Sequence, residues 1–181
     1  MPTMNCSGPS SRIRPQALAA PSSGIVEVFD YGRNRQGLLP LWVGEGDMPT
    51  PAFIGEAAMR SLQDGETFYT YQAGIPPLRE AIARYLSRFY ETDVSPERLI
   101  VTSGGMHALQ IAVNLVAGAG DEVIVPTPAW PNFRGALTVS GATTRDVPMH
   151  FGPAGWQLDL DDVAAAITPQ TRALCINSPA N

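Results

Sequence analysis

The sequence contains no lysine: all twelve of its basic residues are arginines. Chemistry that needs a side-chain amine is therefore closed to these 181 residues. Cysteine occurs only twice, at Cys6 and Cys175, which argues against a disulfide framework and fits a reducing, cytoplasmic setting. Histidine is equally scarce; His107 reads as a cap or supporting group, and His150 stands in a loop without a partner. No apolar run is long enough to span a membrane, and the N-terminal stretch carries arginines without the apolar core of a secretory signal. Basic runs are also missing, and the net charge is -5. That excludes a nucleic-acid or acidic-membrane surface and leaves small anions as possible ligands.

What is present is globular composition, with 44% hydrophobic and 16% charged residues, enough for one domain with a sizeable core. Met1 to Ser23 is rich in Pro, Ser and Ala and reads as a mobile arm, or one ordered by a partner. Ile25, Val28 and Phe29 can form one short helical face. Leu38 to Val43 is an extended apolar run leading into the shaped loop Gly44-Glu-Gly-Asp-Met-Pro-Thr-Pro51. Thr50 and Pro51 predict an N-cap and first-turn proline for a helix through Gln63. Pro76-Pro77 opens a second helix with Leu78, Ile82, Tyr85, Leu86 and Phe89 as its buried stripe and Arg79, Glu80, Arg84 and Arg88 mostly outside it. Short apolar runs at Glu122–Pro126, Thr143–Pro148 and Ala173–Asn177 predict strands, and Asp159 predicts the acidic cap of a helix through Ile167.

The chain is organised around Leu99 to Val116. Leu99 to Thr102 is β-branched and apolar, Ser103-Gly-Gly turns, and Leu109, Val113 and Val116 recur at helical spacing, so the stretch predicts strand, tight turn, helix. The first amides of such a helix lack intrahelical partners and favour an anion. Sterics alone account for glycines at many such corners, so the residues leave both readings open. Trp130, held between Pro128 and Pro131, is either a stacking surface or a core cap. Strands alternating with helices give an α/β class with a mostly parallel sheet, whose ligands sit at the carboxyl ends of strands. The glycine corner and Trp130 both follow such ends.

Five motifs in order then carry a resemblance: the Gly44–Pro51 loop, Tyr69-Thr-Tyr-Gln-Ala-Gly-Ile-Pro-Pro-Leu-Arg-Glu-Ala81, Val101-Thr-Ser-Gly-Gly-Met-His-Ala-Leu109, Gly120-Asp-Glu-Val-Ile-Val125 with Pro128-Ala-Trp130, and Ile176-Asn-Ser-Pro-Ala-Asn181. From about Leu41 to Asn181 the chain resembles the class I/II aminotransferases, pyridoxal-phosphate enzymes of the aspartate aminotransferase fold (fold type I). The resemblance implies a partial large domain, truncated, with residues 1–40 as an N-terminal arm and the start of a small-domain region and 41–181 as the N-terminal part of the cofactor-binding domain. It implies pyridoxal 5'-phosphate as cofactor, with Gly104, Gly105 and the Met106 amide at its phosphate, Trp130 stacked on its ring, and Asn181 at its ring hydroxyl. Tyr69 is implied to reach the phosphate of a neighbouring subunit, hence a homodimer, and Gly44 to meet the substrate carboxylate beside Trp130 and Asn181. No metal is implied.

Gly46 and Met48 depart from the family's usual Pro and Phe. The family's Schiff-base lysine, its pyridinium-pairing aspartate and its substrate-binding arginine have no counterpart before Asn181. The expectation is therefore an aminotransferase acting between an amino acid and a 2-oxo acid, present as a chain with no catalytic residue of its own and inactive alone. A β-lyase or synthase of the same fold and a non-catalytic binding module are the alternatives. A dinucleotide unit is disfavoured, because Ser103-Gly-Gly lacks the spaced glycines. The fold would be incomplete, with unpaired strand edges and a tendency to aggregate.

Overall fold

The computed structural model describes residues 12–42 and 44–179. The chain forms two compact units, one from residues before 45 and after 105 and one from residues 45–105.

The first unit is built on strand β1 (Glu122–Thr127), whose middle four residues are all buried. Parallel strands covered on both faces take continuous apolar runs, and Val123-Ile-Val125 is one. β2 (Thr143–Pro148) and β5 (Thr171–Leu174) flank it in the order β2-β1-β5, both parallel to it. Side chains alternate across a strand. Val123 and Val125 accordingly join Ala117, Leu137 and Ala142 on one face, while Ile124 joins Val147 and Ala166 on the other. The first face is covered by the end of helix α5 (Gly105–Val116) and by α6 (Pro131–Ser140), the second by α7 (Leu160–Ala166). The result is a three-layer α/β unit.

Local chemistry sets these boundaries. Gly141 ends α6 at φ +91°, where its amide and that of Ala142 both bond the Leu137 carbonyl. Asp159 caps α7 by accepting from the Asp161 amide at 2.8 Å. Asp121 ties the turn after α5, accepting from the Gly118 amide at 3.0 Å and from Arg172 Nε at 2.9 Å.

The sequence disclosed one of three further features of the unit in part, the helical face at Ile25, Val28 and Phe29, and the other two not at all. A one-turn helix α1 (Pro15–Leu18) forms in the arm and packs on α6. Helix α2 (Gly24–Gly32) extends well beyond one short face, and Gly32 lies against the Trp42 ring so closely that a Cβ would stand 2.7 Å from it. An antiparallel hairpin, β3 (His150–Gly152) with β4 (Gly155–Gln157), follows β2 and turns at Gly155, φ +89°.

The second unit carries α3 (Ala52–Gln63), α4 (Pro76–Tyr90) and a 3-10 turn at Pro96–Arg98 capped by the Ser95 hydroxyl. Three expectations are corrected here. The N-cap of α3 is Pro51, not Thr50. The apolar stripe of α4 is not buried: Leu78, Tyr85 and Phe89 are exposed, and Ala83 is the one buried hydrophobic among the unit's described residues. Leu99 to Thr102 is extended, with Leu99 at φ -111° and ψ 134°, but it joins no ladder among the described residues. A strand is defined by its partner, and β-branched composition alone cannot supply one.

Candidate functional site

The glycine corner meets α5 where the sequence places it. The helix begins at Gly105, with Met106 as its second residue and no acidic side chain in its first turn. At Gly104 and at Gly105 an added Cβ would meet no atom within 4 Å, so the surface beside the first amides is open. Thr102 Oγ1 donates to the Gly104 carbonyl at 2.9 Å, which engages the corner on its acceptor side. A first helical turn without acidic residues, two residues without side chains and open space together suit a phosphate. The corner has the room and the donors that a phosphate group such as that of pyridoxal phosphate needs, and the 181 residues offer no lysine amine for an imine.

Trp130 is the N-cap residue of α6, directly before Pro131. It is half-buried, and Phe133 meets it edge-on, with ring centroids 5.7 Å apart and planes at 89°. One side of the ring is thus fixed by packing while part of the indole stays accessible, as a stacking surface requires. It lines a hollow of about 230 Å³ with Val125, Thr127 and Thr144, beyond the carboxyl end of β1.

Beside it, a larger cavity of about 370 Å³ opens at the carboxyl ends of β1 and β5. Pro126, Phe133, Met149, Trp156 and Cys175 line it, with Asn177 and Ser178 at hand. Composition offered no signal for this cavity, because the hairpin that carries Trp156 is too short to announce itself. Burial pushes the Cys175 thiol above its ordinary pKa.

Tyr69 lies in the second unit, on the loop before α4, and its side chain is fully exposed. Gly44 is exposed at the end of the first unit's leading segment. Asn181 lies outside the described residues. His150 is exposed on β3, with Nε2 3.7 Å from an Asp162 carboxylate oxygen, which supplies the partner its loop assignment lacked. Arg79, expected mostly outside the buried stripe of α4, is half-buried and donates to two backbone carbonyls. Among the described residues, no group of His, Cys, Asp and Glu could hold a metal ion, and no helix is long and apolar enough to cross a membrane.

The family model for aminotransferase class I and II matches residues 37–181. The chain is 37% identical over 163 residues to a putative aminotransferase of Bacillus subtilis, covering 88% of this chain and 41% of that protein. It is 37% identical over 174 residues to a probable aspartate/prephenate aminotransferase of Thermus aquaticus, covering 96% and 45%. Among solved structures, a single mutant of the Thermus thermophilus aspartate aminotransferase superposes with a TM-score of 0.84 at 38% identity, over 93% of this chain and 45% of that one. N-succinyldiaminopimelate aminotransferase from Mycobacterium tuberculosis gives the same TM-score at 30% identity, over 93% and 44%. The chain thus spans under half the length of these relatives. By the match over residues 37–181 and by its α/β fold, the chain belongs to the class I and II aminotransferases.

Proposed function

We propose that these residues form the cofactor-holding part of a pyridoxal-phosphate aminotransferase that moves an amino group between an amino acid and a 2-oxo acid. The observation that carries this reading is the start of α5 at Gly104-Gly105-Met106, with no acidic residue in its first turn and open space at both glycines, within a chain of this family. When bound, the cofactor supplies an electron sink for the substrate's α-carbon. The chain's own residues would bind and orient it. The amides of Gly105 and Met106, with Gly104 beside them, would hold the phosphate, and Trp130 would cover the ring and exclude water from it; Asn181, outside the described residues, is assigned to the ring hydroxyl by the resemblance alone. Gly44 offers its backbone to the substrate carboxylate. Tyr69, exposed on its loop, serves the phosphate of a second copy, so the active unit is a homodimer working in the cytoplasm. The relatives named above are all aminotransferases, which supports transfer over β-elimination.

Without lysine, the 181 residues alone hold the cofactor and do not turn it over. The test is a pyridoxal phosphate titration followed by borohydride reduction and peptide mapping. Saturable binding that pyridoxal without phosphate fails to reproduce, with no internal side chain labelled, is the expected result. The N-terminal amine is the one adduct to discount. Equal binding of both compounds would overturn the reading.

A further inference from the structure

Leu99 to Thr102 leads into the glycine corner yet has no ladder among the described residues, so its backbone groups need other partners. The second unit supplies them from α4 and the loop before it. The half-buried Arg79 donates from Nε to the Leu99 carbonyl at 3.1 Å and from Nη2 to the Pro96 carbonyl at 2.5 Å. The Val101 amide donates to the Ala73 carbonyl at 3.0 Å. Gly74 closes the contact at φ +101°, so near that an added Cβ would stand 2.6 Å from Val101 Cγ2. The base of the Tyr69 loop, the first turn of α4 and the run into Gly104 are thereby stitched into one element.

We propose that Arg79 is a positioning residue for the phosphate seat: by bridging the Pro96 and Leu99 carbonyls it fixes the path of residues 99–102 and hence where the corner presents its amides. This rests on the proposed reading of Gly104-Gly105-Met106 as that seat. A guanidinium suits the task because its planar fork offers donors on separate nitrogens to two carbonyls at once, whereas the three donors of an ammonium radiate from one nitrogen. Among the described residues Arg79 has no carboxylate at ion-pair distance; the Glu97 carboxyl is held down first by the Ser95 hydroxyl and its own amide and only lastly by the Arg79 charge, so the hydrogen bonds Arg79 makes are those to the two carbonyls.

The test compares Arg79→Ala and Arg79→Lys with the unaltered full chain, reading pyridoxal phosphate affinity, amide exchange at residues 99–105 and the thermal midpoint. Losing two bonds from a charged donor is expected to weaken binding at least about tenfold in Arg79→Ala. Exchange at 99–105 should accelerate, and Arg79→Lys should fall between the two. Added methylguanidinium should restore affinity in Arg79→Ala and leave the unaltered chain unchanged, an outcome that general loss of stability would not give. If Arg79→Ala does not fold, Arg79→Lys decides by the same readouts. Wild-type affinity in both variants, or lost affinity with unchanged exchange and no rescue, would overturn the proposal. Faster exchange in the variants beside an unaltered chain that binds no pyridoxal phosphate would instead sink the seat itself, leaving the stitch as a structural feature only.

Discussion

Two glycines thirty residues apart in sequence respond to the same substitution in opposite ways. Gly74 sits at φ +101°, with Val101 Cγ2 at 2.6 Å and Val101 Cβ at 2.8 Å from the place a Cβ would take. Gly74→Ala forces an L-residue into left-handed backbone, about 1–2 kcal/mol, and adds an overlap costing about 1–3 kcal/mol, so roughly 2–5 kcal/mol in sum. No rotamer of Val101 relieves this, because its Cβ is itself one of the clashing atoms, and the Val101 amide is bonded to Ala73. Val101→Ala added to Gly74→Ala should therefore recover only part of the loss. Gly104→Ala meets empty space and should change stability by no more than about 0.5 kcal/mol, yet it places a methyl beside the amides proposed to hold the phosphate. Urea unfolding followed by far-ultraviolet circular dichroism, with pyridoxal phosphate binding in parallel, separates the two. A lower midpoint for Gly74→Ala, and an unchanged midpoint with impaired binding for Gly104→Ala, are the expected results. A wild-type midpoint in Gly74→Ala would refute the packing argument, and intact binding in Gly104→Ala would refute the seat.

Leu137, 1% exposed beneath α6, should cost about 2–5 kcal/mol on truncation to Ala; a loss under half of that range would mean the first unit's core collapses around the gap. The Asp121 carboxyl is held below its ordinary pKa first by its bond from Arg172 and then by the Gly118 amide. A depressed folded pKa stabilises the fold above the usual aspartate value of about 4 and loses that contribution as pH falls through the lower folded value. Asp121→Asn should flatten the acid limb of the melting profile, and an unaltered limb would contradict the assignment. Cys175, pushed up by burial, should be alkylated by iodoacetamide in a Cys6→Ser chain more slowly than a free thiol, accelerating only as pH exceeds the ordinary thiol range. Free-thiol rates at neutral pH would show the cavity wall to be open.

Much of the first unit was legible in sequence because its signals are local. Asp159 announces the α7 cap, and the apolar run at Glu122–Pro126 announces a strand, which the structure covers on both faces. The Thr143–Pro148 strand appears with the bounds its composition set. What was not legible depends on partners. Periodicity identified the apolar face of α4 but could not say what would cover it, and Leu78, Tyr85 and Phe89 are exposed. Leu99 to Thr102 has strand composition without a ladder. β3 and β4, three residues each, are too short for alternation to register. In the candidate site, glycine and proline placement gave the position of the corner at the start of α5 and of Trp130 before α6, while their roles stay proposals. Arg79 was not, since an arginine bonding distant carbonyls has the same sequence signature as one facing water.

Amide chemical shifts of Gly104, Gly105 and Met106, followed in an isotope-labelled chain, test the central claim most directly. Pyridoxal phosphate and inorganic phosphate should both move these three resonances saturably, pyridoxal alone should not, and only the first should also perturb the Trp130 indole. Shifts confined to other residues, or the same response to pyridoxal, would show that the start of α5 is not the phosphate seat.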